Sequence, residues 1–311
     1  MTTNHQKCIV LFSGGLDSRL AVKIMQEKGF EVVAVFFKLP FVREKISNIE
    51  KFCKENGVKL EIVDCTKEKL LQEYIDIIKK PCFSRGKGFN PCIDCKIFIF
   101  NKTKKIADKK GIELIVTGDV IDERPLSQTK KAINKIEEKS EVKGRIFRPL
   151  SAKIFEPVDL EKKGFLNSED FYEISGRKRD KQIELAKDFG IDYPNPSGGC
   201  LLCEPQLKNR FKKIFKKNLD EKKVKLLNLG RHFIVDGFWI ILGRDEKENN
   251  ILEKVMDEEK EKLIIPDYPA PYAVIFGDHS EEIKEKVLEL MKAYSKKGSI
   301  KERNYWEEYK I

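Results

Sequence analysis

Short apolar runs alternate with segments whose apolar residues recur at three- and four-residue intervals through the first part of the chain. The runs at residues 8–12, 31–37, 60–63 and 112–116 predict buried strands. Between them, Leu20, Ala21, Ile24 and Met25 fall on one helical face ending near Gly29, and helices are expected over 42–56, 67–79 and 96–110. A polar helix over 130–139 follows, and another opens within 175–182 and ends near Gly190. This βαβα rhythm predicts an α/β fold, a doubly wound parallel sheet whose ligands bind beyond the carboxyl ends of its strands. The texture changes near residue 205. A lysine-rich helix is expected over 207–229, short strands over 233–235, 239–242 and 272–276, a last helix over 281–294, and a polar tail over 295–311. Two domains are therefore expected, residues 1–205 and a smaller α+β unit at 206–311.

The first strand runs directly into Ser13-Gly14-Gly15-Leu16-Asp17-Ser18 and then into a helix. A strand, a Gly-Gly turn and a helix N-terminus form an anion site, because N–H groups and the helix dipole converge on one spot. Ser13 and Ser18 add hydroxyls, and the glycines admit close approach of a phosphate. Neither a Walker A loop nor a dinucleotide fingerprint has this spacing. A plain helix-capping turn is the alternative.

Composition narrows the setting. With 41% apolar and 36% charged residues the 311-residue chain reads as globular, and no apolar run reaches membrane-spanning length. The first residues carry no signal-peptide pattern, so a cytoplasmic location and no membrane partner are expected. Lys and Arg number 61 against 51 Asp and Glu, a net +10 that favours a polyanionic partner or reflects a generally lysine-rich surface.

Eight cysteines in such a chain are not expected to form structural disulfides. Cys8, Cys53 and Cys65 sit in apolar surroundings and read as core residues, and Cys82 stands apart. The other four form two C-x-x-C pairs. Cys92 and Cys95 follow the Gly-rich stretch 85–89 and precede a helix, where Cys95 is expected to have a depressed pKa. Cys200 and Cys203 follow Gly198-Gly199. Paired thiols chelate one metal or exchange sulfur, and only folding can join pairs so far apart in sequence.

SGGLDS resembles the PP-loop of the ATP pyrophosphatase superfamily, which implies ATP cleaved between its α- and β-phosphates and AMP passed to a substrate oxygen. Together with NPCIDC, TGDVIDERPLSQ, RPLSAK, SGRKRDKQ and YPNPSGGCLL, it makes residues 8 to about 203 similar to the tRNA thiouridine synthases related to the 2-thiouridylases. The resemblance implies an AMP-forming tRNA-uridine sulfurtransferase acting on tRNA, with sulfide or a persulfide-carrying donor protein as sulfur source. It implies ATP contacts at Ser13, Gly14, Gly15, Asp17, Ser18, Gly118 and Asp119, with Asp17 holding Mg²⁺ or the helix turn. Phe36, and Phe37 beside it, would lie near adenine or serve as core aromatics. Arg124, Arg148, Lys153, Arg177, Lys178 and Arg179 are assigned to phosphates of ATP or RNA. By the same resemblance Cys92, Cys95 and Cys200 would hold a [4Fe–4S] cluster with one open iron. Cys203 departs from that pattern, which has threonine there; a fourth ligand would close the open position. A persulfide relay with Cys200 as carrier and Cys95 as partner, and a four-thiolate zinc site, stand beside it.

Arg231-His232-Phe233, Asp236-Gly237-Phe238, Gly243-Arg244-Asp245, Glu248-Asn249-Asn250 and the 271–275 segment resemble the NFACT-R domain of ribosome quality-control proteins. That implies RNA binding, with Arg231 and Arg244 and the lysines at 208, 212, 213, 216 and 217 as contacts. No RNA-binding domain precedes residue 8, so the C-terminal domain is expected to take this role. Its alternative use is self-association into a homodimer. Alternatives to thiolation are a PP-loop amidase or ligase that adenylates without sulfur transfer, and a non-catalytic RNA-binding factor with structural zinc.

Overall fold

Cys8, Ile9 and Val10 are fully buried, as a central strand covered on both faces requires. They belong to β1 (Lys7–Leu11), which is followed by α1 (Leu16–Glu27), β2 (Glu31–Lys38), α2 (Ile46–Glu55), β3 (Lys59–Asp64), α3 (Glu68–Lys79), α4 (Cys92–Lys110), β4 (Leu114–Thr117), α5 (Lys130–Lys139), β5 (Ile146–Phe147), α6 (Asp159–Lys162) and α7 (Asp180–Asp188). The computed structural model describes residues 6–42, 44–194 and 199–311, without the side chains of residues 257, 260 and 261. Asn195, Pro196, Ser197 and Gly198 of the predicted YPNPSGGCLL motif lie outside the described residues.

The chain divides into two units, Met1–Pro205 and Gln206–Ile311. In the first, a sheet of order β3-β2-β1-β4-β5 has parallel neighbours throughout. β1 pairs with β2 on one side and β4 on the other, with Leu11 opposite Thr117. The order reverses there, and such a switch point opens a crevice at the strand carboxyl ends. The expected α/β doubly wound sheet is present. Its differences from the sequence reading are local. α4 starts at Cys92 rather than Lys96, so both cysteines of the first pair sit in its first turn. The two residues of β5 are too few for a periodic signal.

The second unit comprises α8 (Lys208–Ile214), α9 (Glu221–Leu226), β6 (Arg231–Val235), β7 (Phe238–Leu242), α10 (Glu246–Val255), β8 (Leu263–Ile264), β9 (Ala273–Phe276), α11 (Glu281–Ala293) and α12 (Ile300–Glu307). Its antiparallel sheet runs β6-β7-β9-β8. Asp236 and Gly237, both at positive φ, make the two-residue hairpin between β6 and β7. The single lysine-rich helix expected over 207–229 is interrupted, because Asp220 caps a new helix by accepting from the Lys223 N–H at 2.8 Å. The polar tail is structured too. Ser299 and Glu302 form a capping box, and Trp306 anchors α12 in the core. Among the described residues no helix is long and apolar enough to cross a membrane.

His232 is fully buried in this unit; its Nδ1 accepts from Trp239 Nε1 at 3.0 Å and its Nε2 lies 2.7 Å from the Leu229 carbonyl. Burial, then the Arg210 charge, hold its pKa well below the usual 6.5. The unfolded chain therefore binds a proton below pH 6.5 that the native chain does not, and stability present above that pH is lost as pH falls. Trp239 and Trp306, the two tryptophans of the chain, both lie in this unit, so intrinsic fluorescence reports its unfolding. The unfolding free energy read by fluorescence is predicted to fall between pH 6.5 and 5, by at most about 1.4 kcal/mol per pH unit from this group. His232→Gln should flatten that dependence; an unchanged slope in the variant would refute the assignment.

Candidate active site

The PP-loop segment joins β1 to α1 at the switch point. Gly14 takes a φ of +80°, and a side chain there would run into Ile49 of α2. Gly15 caps α1 with no side-chain hydrogen bond, so the first-turn amides stay directed at the loop. Ser18 Oγ donates to the Gly15 carbonyl at 3.0 Å, and Ser13 Oγ lies 3.2 Å from Ser18 Oγ. Arg19 braces the turn from behind, donating from Nε to the Gly14 carbonyl (2.7 Å) and from Nη1 to the Asp192 carbonyl (2.8 Å). Gly118, just past β4, meets the same turn. A Cβ on it would stand 2.5 Å from the Asp17 carbonyl carbon and 2.6 Å from the Ser18 nitrogen. Only glycine lets the post-β4 segment close on the loop.

Three carboxylates share this edge in different states. Asp17 is pushed up to about 7, chiefly by burial and then by Glu123, with Arg179 and Arg124 pulling the other way. Its Oδ1 is buried without a hydrogen-bond partner, as is Oε2 of Glu123. Glu123 Oε1 accepts from Arg179 Nε at 3.0 Å in a buried ion pair. Burial would also raise Asp119, but Lys96 and Arg148, with hydrogen bonds from Lys96 (2.6 Å) and Gln128 (2.9 Å), hold it below the usual range. Glu123, Lys96 and Gln128 were missed in the sequence. Glu123 and Gln128 lie inside the motif already quoted, and only Lys96's place beside Cys95 hinted at its role.

The two C-x-x-C pairs meet in the same unit. Leu201 N–H donates to the Phe41 carbonyl (2.9 Å) and Cys200 bridges to Val42. The Phe89 N–H donates to the Leu202 carbonyl at 2.8 Å, and a Cβ on Gly88 would collide with the Leu202 and Cys203 backbone. The 85–90 loop is thereby clamped onto the second pair. The Cys203 thiol reaches hydrogen-bonding range of both Cys92 and Cys200. Asn90 Nδ2 donates to Cys92 Sγ (3.0 Å), and the buried Tyr74 hydroxyl lies 3.6 Å from Cys95 Sγ. The depressed pKa expected for Cys95 is not found: burial pushes it up to about 12, outweighing the Tyr74 contact and the helix terminus. Cys203, hydrogen-bonded to Cys200, is raised to about 11. Cys203 lies one short helical turn after Cys200, its N–H donating to the Cys200 carbonyl at 3.0 Å. Among the described residues no group of three or more His, Cys, Asp or Glu is arranged to hold a metal ion.

Other expected contacts are placed as follows. Phe36 is buried in the hydrophobic core with Phe12 and Phe52, the setting of a core aromatic. Arg148 is 3% exposed and paired with Glu137 at 2.6 Å, and Lys153 pairs with Glu169 at 3.3 Å. Arg177 and Lys178 are exposed. Arg124 is exposed, and its charge acts on both Asp17 and Cys203. In the C-terminal unit Arg231 donates to the Gly243 carbonyl (3.2 Å) and Arg244 is ion-paired with Glu248. Lys208, Lys212, Lys213 and Lys216 are exposed, whereas Lys217 lies 3.3 Å from the Gly237 carbonyl. Cys8, Cys53 and Cys65 are core residues, as expected.

The raised Asp17 carries a sign that can be checked. The unfolded carboxyl loses its proton near 3.8 and the native one near 7, so the native chain binds more protons between those values. Stability must fall as pH rises through that window. At pH 8, without nucleotide or divalent cation, the buried charge costs on the order of 2–4 kcal/mol. Asp17→Asn is predicted to melt higher than the parent at pH 8 and to converge with it at pH 4, measured by calorimetry. A gap of equal size at both pH values would contradict this.

Residues 3–158 match the family model described as Thiamine biosynthesis protein (ThiI), and residues 230–305 match the NFACT protein RNA binding domain. A tRNA-specific 2-thiouridylase MnmA of Helicobacter pylori (strain G27) is 31% identical over 166 residues, covering 50% of this chain and 48% of the relative. The MnmA of a Nitratiruptor species is 30% identical over 121 residues, 36% of this chain and 34% of the relative. The matches thus span about a third to a half of the length of these curated relatives. A solved 4-thiouridine synthetase–RNA complex with bound ATP aligns at 20% identity with a TM-score of 0.40, over 72% of this chain and 51% of that one. With the first family model covering half of its residues, from the PP-loop through the post-β4 and Arg148 segments, the chain belongs to the ThiI family.

Proposed function

We propose that this protein thiolates uridine in tRNA, using ATP to activate the base. The observation that carries the reading is the joining of the two half-sites. Lys96, next to Cys95, pairs with Asp119 beside the PP-loop, and the exposed Arg124 acts on both Asp17 and Cys203. An adenylating turn and a set of sulfur-bearing groups are thus held within one unit, which an amidating or ligating PP-loop enzyme does not require. The 2-thiouridylase relatives and the C-terminal match to an RNA-binding domain support tRNA as the substrate.

In the proposed reaction ATP phosphates lie in the Gly14–Gly15 turn against the N-terminus of α1. A uridine carbonyl oxygen attacks the α-phosphate and pyrophosphate leaves, so the oxygen becomes part of a good leaving group. Sulfur from the thiol set then adds to the same ring carbon and AMP departs. The protein positions reactants and stabilises the transferred charge. The unpartnered oxygens of Asp17 and Glu123 fit a Mg²⁺ ion, which would supply neutralisation of phosphate charge. Cys92, Cys95, Cys200 and Cys203 supply the thiolates that a [4Fe–4S] or zinc centre would use, and no step is assigned to one. Bases stacked in RNA must be extruded to reach such a site, and the exposed lysines of α8 together with Arg177 and Lys178 are surfaces suited to its backbone.

Two substitutions separate the stages. Asp17→Ala is predicted to lower tRNA-dependent AMP formation roughly a hundredfold or more, the scale of losing a group that organises transition-state charge. Cys200→Ala should leave AMP formation within a few-fold of the parent, by the same reasoning that it touches only the later step, and stop the appearance of thiouridine. Radiolabelled ATP and nucleoside mass spectrometry read both. Equal loss of AMP formation in the two variants would overturn the division.

A further inference from the structure

Beside the nucleotide turn one neutral side chain is held in place with a hydrogen-bond acceptor left over. Gln128 is 7% exposed, and its Nε2 donates to Asp119 Oδ1 at 2.9 Å. An ionised carboxylate only accepts, so the amide nitrogen must face Asp119 and the oxygen is the atom left over. That oxygen, Oε1, is buried without a hydrogen-bond partner. The backbone of Gln128 is pinned as well, its N–H donating to the Arg124 carbonyl (3.0 Å) and its carbonyl accepting from the Asp122 N–H (2.8 Å). Asp119, which orients the amide, also pairs at 2.6 Å with Lys96, the residue after Cys95. It follows Gly118, which meets the Asp17–Ser18 backbone. Gln128 is thus fixed to the residue that links the phosphate turn to the thiol-bearing helix. A buried acceptor left unpaired costs stability that a donor on a ligand would restore.

We propose that Gln128 Oε1 reads the target base, accepting the ring N–H that lies between the two carbonyls of uracil. The inference rests on the thiolation reading and names how its substrate is recognised. A base activated at the nucleotide turn and then attacked by sulfur has to lie between those two sets of groups, where Asp119 holds the amide. The imide N–H is flanked by both carbonyls, so one acceptor serves thiolation at either of them. Cytosine carries a bare ring nitrogen at that position, and two acceptors would face each other with no proton between them. The hydrogen bond is made to the neutral base. It strengthens as the carbonyl oxygen bonds to phosphorus, because the ring then takes up positive charge shared with its N–H. Gln128 is therefore a specificity residue that touches the substrate, and Asp119 and Lys96 position it. Adenine also carries N–H donors, on its amino group, and the experiment separates the two bases.

The target position is the one whose thionucleoside disappears from the tRNA of a strain lacking the gene. That tRNA is assembled from synthetic pieces with either uridine or N3-methyluridine there; the methyl group removes the N–H and keeps both carbonyls. The kcat/KM for tRNA-dependent AMP formation by the full chain is read on both. The parent should favour uridine by about a hundredfold or more, the scale on which a site built to bond an N–H rejects a ligand lacking it. Gln128→Ala, which removes the acceptor and leaves room for the methyl group, should bring the two substrates within about threefold of each other. Both rates come from one preparation of the variant, so a loss of folded protein cancels. Equal losses on both substrates, with the parental preference retained, would overturn the proposal and leave Gln128 only as a brace for Asp119. So would a preference that shifts instead between ATP and N6,N6-dimethyl-ATP on the unmodified tRNA, which assigns the acceptor to adenine. If the deletion strain loses no thionucleoside, the thiolation reading falls and this inference with it. A lost thionucleoside with an unchanged uridine preference removes this inference alone.

Discussion

The ion pair between Lys96 and Asp119 holds the site together. Lys96 belongs to the first turns of α4, the helix that starts with Cys92, and Asp119 lies just beyond β4, beside the PP-loop. Both side chains are largely buried, and Asp119 is further held by Gln128 and the Arg148 charge. A buried pair of this kind is costly to break from one side, because the remaining charge is left without compensation. Its value is geometric. It fixes the thiol-bearing helix to the strand end whose Gly118 closes on the nucleotide turn.

That constraint lets neighbouring carboxylates serve different ends. Asp119 is kept ionised by its cations, while burial and then Glu123 push Asp17 up to about 7. Environments that push like groups apart in this way are a mark of functional sites, though structural ion networks do the same. At this edge the Oδ1 of Asp17 and the Oε2 of Glu123 are buried without a hydrogen-bond partner.

The sheet, its parallel order and the nucleotide turn were legible because each rests on local pattern: apolar runs, helical periodicity, and a glycine pair between them. Gly14 and Gly15 announced a close approach that the structure contains. The C-x-x-C pairs were legible as chemistry but not as geometry. Nothing local indicates that Phe41 and Phe89 would each bond to the 201–202 backbone. The helix start at Cys95 misled about its thiol, since burial against Tyr74 is a tertiary fact that outweighs a helix dipole. Arg148, a charge in a motif, is buried against Glu137, which no local signal announces. In the second unit the broken lysine-rich helix and the ordered tail depended on caps, Asp220 and Ser299, that composition alone obscures.

On the proposed function, the nucleotide turn and the thiol set act as one site that places sulfur in tRNA, and such a site must leave a trace in the cell's tRNA. Nucleoside mass spectrometry of bulk tRNA from a strain lacking this gene, and from the same strain carrying it back on a plasmid, reads that trace directly. One thiolated uridine is predicted to disappear on deletion and to return on complementation with the parent chain but not with its Cys200→Ala variant. An unchanged set of thionucleosides would contradict the assignment of both half-sites to one reaction.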